Sequence, residues 1–162
     1  MSVRIRAAAP GDAEAVAAIH NQGVEDRMAT LRTSPRAPGD VLAALAAERP
    51  LLVAERDGEV AGWAGIGPYD DRNEWYAGVG EATVYVAREA RGTGIGRSLL
   101  AALEEAAPQV GYFKLIAKVF ESNAASLALF GGAGWDTVGT HRRHGRLDGA
   151  WKNVVVLERL LD

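Results

Sequence analysis

The sequence predicts a single domain of the α+β (α/β) class, with helices packed on the faces of a β-sheet. Segments with strand-like and helix-like patterns alternate along the chain, which is typical of this class. The 162 residues are enough for one domain with a core and too few for two ordinary domains. A content of 48 % hydrophobic and 24 % charged residues, with a net charge of -3, is typical of a soluble globular protein and does not indicate nucleic-acid binding.

The first half of the chain predicts three strands and two helices. Asp12 supplies an N-cap for the first helix. The segment 25–40 has no clean period and carries two prolines, so we expect a long functional loop there. Asp57 and Gly58 predict a hairpin turn between two apolar runs. The predicted elements are a strand at 3–8, a helix from 12 to about 21, a helix at 40–49, and strands at 51–56 and 59–68.

The second half of the chain continues the alternation. One helix places its apolar residues on a single stripe and should therefore pack on the sheet. The residues of this stripe are Leu99, Leu100, Leu103, Ala106 and Ala107. The predicted elements are a strand at 81–87, a helix at 98–107, a strand at 113–120, a helix from 123 to about 131, and strands near 135–141 and 150–159.

The absence of certain residue types and segments argues against several kinds of site and several classes of protein. The chain has no cysteine, which excludes disulfides, thiolate zinc sites and cysteine nucleophiles, and we expect no metal. No uncharged apolar run approaches the roughly 20 residues that span a bilayer. The N-terminal segment lacks the apolar stretch of a signal peptide. We therefore expect a cytoplasmic protein without a membrane partner.

The stretch EARGTGIGRSLLAALEE at 89–105 places three glycines directly before a helix. The first N–H groups of a helix have no internal partner and lie at the positive end of its dipole. Glycines let an anion approach these donors closely, and the two arginines add positive charge. We expect this loop to bind a pyrophosphate. The candidate residues are Arg91, Gly92, Thr93, Gly94, Ile95, Gly96 and Arg97.

The glycine spacing matches one phosphate-binding motif and not two others. It fits neither the dinucleotide fingerprint G-x-G-x-x-G nor the P-loop. It does fit R-x-x-G-x-G, and here the chain resembles the GCN5-related N-acetyltransferase (GNAT) superfamily, in which this motif holds the pyrophosphate of acetyl-CoA. The resemblance implies acetyl-CoA as co-substrate and a GNAT fold, a mixed central sheet of about 6–7 strands flanked by about four helices, with strands 4 and 5 splayed. The alternative is a glycine-rich turn that only connects a strand to a helix.

Further stretches extend this resemblance over about residues 3 to 160. ESNAASLALFGGAGW at 121–135 resembles the second signature of the superfamily and implies that Asn123 and Ser126 face the pantetheine. GPYDDRNEWYAGVGEATVYV at 67–86 is similar to phosphinothricin and methionine-sulfone N-acetyltransferases. NQGVEDRMATLRTSPR and the C-terminal segment resemble arsinothricin-resistance N-acetyltransferases. The chain is thus identified as a member of this branch.

Glu81 is the candidate catalytic residue. Acyl transfer to an amine requires a proton acceptor, because a primary amine is mostly protonated near pH 7. Glu81 begins the strand that leads into the glycines, and the resemblance places it on the general base of the family. The alternative is a solvated carboxylate at a strand edge. Where the strand splays, its main chain should pair with the pantetheine amides, and the residues concerned are Val84, Tyr85 and Val86.

Two positions depart from the family pattern. Phe130 stands where many of these enzymes have a tyrosine that acts as general acid. The phosphinothricin enzymes carry a histidine near the position of Asp148, whereas this chain has His141 and His144 nearby. Both histidines are candidate substrate contacts, and the alternative for each is a surface loop residue.

Arg72 is the main candidate for binding the substrate. The family pattern places a substrate-binding arginine in this loop, and a guanidinium grips a carboxylate or phosphinate through a planar fork. The alternative is a surface arginine paired with Asp70 or Asp71. Further candidates are Leu31, Trp75 and Tyr85, for each of which core packing is the alternative.

The resemblance implies an acetyl-CoA-dependent N-acetyltransferase that acts by direct transfer. The expected acceptor is the α-amine of phosphinothricin, arsinothricin, methionine sulfone or methionine sulfoximine. Acetylation of a peptide N-terminus or lysine is one alternative, and a non-catalytic acyl-CoA-binding module is another. By the same resemblance we expect a homodimer.

Overall fold

A computed structural model describes residues 2–70 and 72–162 of the chain. In this part the fold has seven strands and four α-helices, so the predicted α+β (α/β) class, with a central sheet of about 6–7 strands flanked by about four helices, is confirmed. The elements in chain order are β1 Val3–Ala7, α1 Ala13–Asp26, α2 Pro38–Ala46, β2 Leu51–Arg56, β3 Glu59–Pro68, β4 Val79–Val86, α3 Ile95–Gln109, β5 Lys114–Phe120, α4 Ala124–Gly132, β6 Asp136–Leu147 and β7 Ala150–Leu160.

All seven strands form one mixed sheet in the order β1-β2-β3-β4-β5-β7-β6. Every neighbouring pair is antiparallel except β4 and β5, which are parallel. The β4–β5 pairing joins only Val79, Gly80 and Glu81 to Lys114, Leu115 and Ile116. Beyond Glu81 the two strands separate, so the predicted splay of strands 4 and 5 is confirmed.

The helices cover both faces of the sheet. On one face, the α3 stripe packs against β3, where a Cβ added at Gly62 would come 3.1 Å from Leu99 Cδ1. Leu99, Leu100, Leu103 and Ala107 are fully buried there, while Ala106 is half-buried. The next β3 residue, Trp63, points to the opposite face, as alternation along a strand requires. This second face carries α1 and forms the wall of the site described below.

Several element boundaries differ from the sequence prediction, among them α2 at Pro38–Ala46 instead of 40–49 and β6, which ends at Leu147 instead of near 141. Two helix boundaries bear on the site. α1 continues through Gly23 to Asp26, although a glycine normally weakens a helix. Gly23 is required because a Cβ there would lie 2.6 Å from the Tyr85 ring. α3 begins at Ile95 instead of 98, with Gly94 as its N-cap at φ 88°. The glycine loop is therefore partly the first turn of the helix.

Candidate active site

The splay between β4 and β5 opens into a cavity of about 320 Å³. β4 supplies one wall and β5 the other, while α1, α4 and the loop after α1 close the ends. The sequence-predicted residues that line it are Glu81, Val84, Tyr85, Asn123, Ser126 and the divergent Phe130.

Glu81 lies at the last point where β4 and β5 are paired. Lys118 Nζ of β5 lies 3.5 Å from Glu81 Oε2, and the Glu81 side chain remains 32 % exposed. On the other side Glu81 faces Gly67 of β3, where even an added Cβ would meet nothing within 4 Å. The carboxylate is thus accessible from the cavity. The sequence analysis did not identify Lys118, which lies 37 positions away from Glu81 along the chain.

The main chain of β4 presents free groups to the opening at Val84 and Val86. The amide of Ala87 donates to Ala61, and the carbonyl of Tyr85 lies against Gly62, so these groups face β3. Alternation along the strand turns the main chain of Val84 and Val86 toward β5, with which neither residue is paired. This corrects the expectation for Tyr85, whose main chain faces away from the opening. The carbonyl of Val86 accepts a hydrogen bond from Arg91 Nε at 3.2 Å, so the groups left free are those of Val84 and the amide of Val86.

The glycine loop presents unpaired amides at the start of α3. The amide of Ser98 is the first to bond back, to the carbonyl of Gly94 at 3.1 Å. The amides of Ile95, Gly96 and Arg97 therefore have no partner within the helix. Gly92 and Gly94 have φ values of 76° and 88°, which favour glycine.

The side chains of this loop have different environments. Ile95 is buried in the core at 2 % exposure, whereas Thr93 and Arg97 are exposed. Arg91 Nη1 donates to Asp26 Oδ2 at 2.8 Å, so its charge is engaged by α1. The positive charge that the sequence analysis expected Arg91 to add for an anion is thus paired with Asp26. Asp26 forms salt bridges with Arg91 and Arg88, and these two arginines lower the pKa of its carboxyl group.

Asn123 and Ser126 lie together at the start of α4. The side-chain oxygen Oδ1 of Asn123 accepts from the Ser126 amide at 3.1 Å and caps the helix. Its side-chain amide donates to the carbonyl of Met28 at 3.0 Å, which ties α4 to the loop after α1. Both polar groups of Asn123 thus already have partners within the chain. Phe130 in the same helix is buried at 3 % exposure and packs edge-on against Trp135.

Five of the six predicted substrate contacts lie away from this cavity. Arg72 is 89 % exposed on the β3–β4 loop, with its Nε 3.5 Å from Asp70 Oδ1; Asp71, its other predicted partner, lies outside the described residues. Trp75 is 80 % exposed in the same loop. Leu31 lies instead against Gly145 of β6. The two histidines of β6, His141 and His144, are exposed and stack on each other at 4.3 Å.

The sixth predicted contact, Tyr85, belongs to an aromatic cluster on the cavity wall. Its ring stacks on Trp63 at 5.2 Å and lies 4.9 Å from the His20 ring. Burial raises the pKa of the Tyr85 hydroxyl to about 12, so this group stays neutral. Burial, and then the nearby Arg36, lower the pKa of His20. The sequence analysis missed His20 and Trp63, because their apolar-periodic and alternating contexts are those of core residues.

A second hollow of about 220 Å³ adjoins the cavity on the same face of the sheet. Arg36, Trp63 and Thr83 line both spaces. The floor of the second hollow includes Gly65 and Gly67, which are paired with Thr83 and Glu81 across the β3–β4 ladder. Arg49 lines its outer wall.

Residues 2–70 and 72–162 contain neither a membrane-spanning helix nor a cluster of metal ligands. No helix there is long and apolar enough to cross a membrane. No group of three or more histidine, aspartate or glutamate side chains in this part of the chain could hold a metal ion.

The chain is similar over its full length to named acetyltransferases. It is 34 % identical to phosphinothricin N-acetyltransferase of Streptomyces viridochromogenes, over 97 % of this chain and 87 % of the relative. It is 32 % identical to L-methionine sulfoximine/L-methionine sulfone acetyltransferase of Pseudomonas paraeruginosa, over 100 % of this chain and 96 % of the relative.

Solved structures share the fold. Ribosomal-protein-alanine N-acetyltransferase from Brucella melitensis is 36 % identical and superposes with a TM-score of 0.92, covering 98 % of this chain and 99 % of that one. The yncA protein of Salmonella typhimurium, solved with its cofactor acetyl-CoA, is 28 % identical with a TM-score of 0.95, covering 100 % and 95 %. The acetyltransferase (GNAT) family matches residues 20–135. This chain, an acyltransferase, therefore belongs to the acetyltransferase (GNAT) family.

Proposed function

We propose that this protein is an acetyl-CoA-dependent N-acetyltransferase for the α-amine of small amino acid analogues. The candidate acceptors are phosphinothricin, arsinothricin, methionine sulfone and methionine sulfoximine. The observation that carries the proposal is the cavity at the β4–β5 splay, with the Glu81 carboxylate on its wall. The names of the phosphinothricin and methionine sulfoximine relatives support the same class of acceptor.

The site fits acetyl-CoA at two separate points. The unpaired amides of Ile95, Gly96 and Arg97 would hold its pyrophosphate, because Gly94 leaves the approach open. The free main chain of Val84 and the free amide of Val86 would pair with the pantetheine amides as an added strand does. Bound acetyl-CoA supplies an acetyl thioester as the acyl donor. Since the chain has no cysteine to carry the acetyl group, we propose direct transfer to the amine.

Glu81 is the proposed general base. An α-ammonium group cannot attack a carbonyl carbon until it loses a proton. Glu81 is accessible from the cavity, and Gly67 opposite leaves room for an amine or for a single water. Lys118 offers its ammonium group 3.5 Å from the carboxylate and holds it in position. The proton acceptor thus lies on the wall of the space in which the acceptor would bind.

Two other functions would use the same fold. The Brucella melitensis structure is named for acetylation of a ribosomal-protein alanine, which favours a peptide N-terminus as an alternative acceptor. Phe130, which cannot donate a proton, favours a non-catalytic acyl-CoA-binding module. The accessible carboxylate of Glu81 argues against the module.

A substrate screen at saturating acetyl-CoA separates the three functions. The assay measures thiol release with the four amino acid analogues, with alanine-ended peptides and without amine, and mass spectrometry locates the new acetyl group. We expect turnover with at least one analogue, acetylated on its α-nitrogen. Turnover with peptides alone would support the second function. Binding of acetyl-CoA without thiol release from any amine would support the third.

We also propose that the protein forms a homodimer and is located in the cytoplasm. β6 is an edge strand whose residues are almost all exposed, and Val138 of β6 and Trp151 of the neighbouring β7 expose 59 % and 49 % of their surface. Covering a long exposed edge strand with another chain or element is one way in which proteins prevent unwanted pairing. We propose that a second copy covers it, and sedimentation velocity tests this pairing.

A further inference from the structure

We propose that Arg36 binds an anionic group of the acceptor and so determines its specificity. This inference rests on the proposed function, and it assigns to Arg36 the contact that the sequence analysis expected of Arg72. The acceptor would span the cavity with its amine toward Glu81 and its acid group toward Arg36. A second acid group, where the acceptor has one, would extend toward Arg49.

Arg36 is a half-buried cation without a carboxylate partner among the described residues. Its guanidinium lies 5.7 Å from the centre of the Trp63 ring, on the wall shared by the two spaces. Asp40, whose charge acts on Arg36 through space, accepts from the Ala37 amide at 3.0 Å and lies 3.9 Å from Arg32. Burial lowers the pKa of Arg36, which is what a cation lacking a close partner experiences.

Arg36 is also held in place before any ligand binds. Its main-chain amide donates to Asn21 Oδ1 at 2.7 Å, and Asn21 Nδ2 donates back to its carbonyl at 3.0 Å. This pair of hydrogen bonds fixes the loop residue to α1. The main chain that carries the guanidinium therefore loses little freedom when an anion binds, which favours affinity.

Two further polar atoms on the same wall lack partners. His20 Nδ1 and Trp63 Nε1 are buried and have no hydrogen bond among the described residues. The two residues are only 8 % and 4 % exposed, and both line the cavity. A buried polar atom without a partner is costly, so such atoms in a cavity point to a ligand that satisfies them. The Trp63 N–H can only donate, which fits an acid oxygen.

The charges of the site match an amino acid. Glu81 offers a negative charge and Arg36 a positive one on the walls of the same cavity. A neutral amine or a peptide chain would leave Arg36 unpaired. Beyond Arg36, the floor at Gly67, where an added Cβ would meet nothing within 4 Å, leaves space for a side chain that reaches Arg49. Among the described residues, Arg49 also has no carboxylate within salt-bridge distance, so it can take a second anionic group.

The test compares an acceptor with its uncharged derivative. The analogue with the fastest turnover in the screen is assayed as the free amino acid and as its α-carboxamide, with wild type, Arg36→Met, Arg36→Lys and Arg4→Met. Arg4 is an exposed arginine on the far edge strand β1 and serves as the matched control. We expect Arg36→Met to raise the KM of the free acid at least about tenfold and to leave the KM of the carboxamide and of acetyl-CoA unchanged. Arg36→Lys should lie between wild type and Arg36→Met, because it keeps the charge and loses the fork.

Each of the remaining outcomes would contradict one specific part of the proposal. An unchanged KM for the acid in folded Arg36→Met would overturn the role of Arg36 while leaving the enzyme function intact. An equal rise for acid and carboxamide would assign Arg36 a structural role. Wild type that turns over no amine at all would overturn the proposed function itself, so the two failures are distinguishable. Circular dichroism and thermal unfolding establish that each variant is folded.

Discussion

At the scale of single residues, the chemistry depends on Glu81. In Glu81→Gln the shape and hydrogen-bonding reach are kept and the base is lost, so we expect kcat to fall by roughly 10²–10⁴. The KM of acetyl-CoA should change little, because the glycine loop and the main chain of β4 are untouched. Steady-state kinetics with both substrates varied measure the two effects separately.

The pH dependence of the same variant tests what Glu81 does. If Glu81 removes the proton of a bound ammonium, alkaline pH should restore turnover in Glu81→Gln, since the amine then arrives neutral. Lys118→Met is the matched variant, because it removes the neighbouring charge and keeps the carboxylate. If Glu81→Gln turns over at the wild-type rate near neutral pH, Glu81 is only a solvated strand residue.

His20 makes the stability of the protein depend on pH. Burial, and then the charge of Arg36, lower its pKa below the ordinary histidine value of about 6.5. Below that pH the unfolded chain takes up a proton that the folded protein does not, so the free energy of unfolding falls as the pH falls. In His20→Phe, which keeps a ring in this place, the part of the decline that His20 causes should be absent. Urea unfolding at pH 7.5 and pH 5.5 measures the difference, and parallel behaviour of the two proteins would contradict the prediction.

Some site residues could be predicted from the sequence and others could not. Glu81 and Asn123 lie in stretches with a recognisable order of residue types, and both line the cavity. Arg36, His20 and Trp63 come from a loop, a helix and a strand that are far apart in sequence. These residues become neighbours only in the folded structure, and no local sequence pattern predicts that they do. Arg72 was predicted from its place in a motif, but the structure leaves its side chain exposed on a loop.

At the scale of elements, the start of α3 has both a structural role and a proposed binding role. Gly94 is the N-cap at φ 88°, where a β-branched residue is strained, yet a Cβ there would meet no atom within 4 Å. We expect Gly94→Val to raise the KM of acetyl-CoA at least about tenfold, since the side chain would occupy the approach to the helix amides. It should also lower the stability by about 1–3 kcal/mol through backbone strain.

A matched glycine separates these two effects. Gly58 has φ 81° in the β2–β3 hairpin, where a Cβ also meets nothing, and it lies away from the cavity. Gly58→Val should therefore lower the melting temperature to a similar degree and leave the KM of acetyl-CoA unchanged. If Gly94→Val is folded and its KM equals that of wild type, the assignment of the phosphate loop is wrong.

Some features of the elements could be predicted from local sequence patterns, and others could not. The apolar stripe of α3 predicted its packing face, because this face repeats within one helix. The passage of α1 through Gly23 could not be predicted, since it depends on the ring of Tyr85 from a distant strand. The main-chain direction of Val84 and Val86 likewise depends on the pairing of β4 with β3. Such features are set by register, which the sequence of one strand does not contain.

At the scale of the whole molecule, the splay divides the sheet into two parts. Strands β1 to β4 lie on one side, and β5, β7 and β6 on the other. Three residue pairs of the β4–β5 ladder join the parts directly, at the end of the sheet below the cavity. Asn123 adds a link across the opening by its hydrogen bond to Met28. A ligand in the opening that contacts both strands would therefore tie the two parts together.

This arrangement predicts that acetyl-CoA stabilises the folded protein more than its nucleotide part does. Acetyl-CoA at 100 times its dissociation constant should stabilise the protein by about 2.7 kcal/mol, which corresponds to a rise in melting temperature of roughly 5–11 °C. Adenosine 3′,5′-diphosphate at the same concentration should give a smaller rise, because it lacks the pantetheine arm that would pair with Val84 and Val86. Hydrogen exchange adds a local measurement: acetyl-CoA alone should protect the amides of these two residues. Equal thermal shifts and equal protection with both ligands would mean that the splay does not hold the pantetheine, whatever binds at the start of α3.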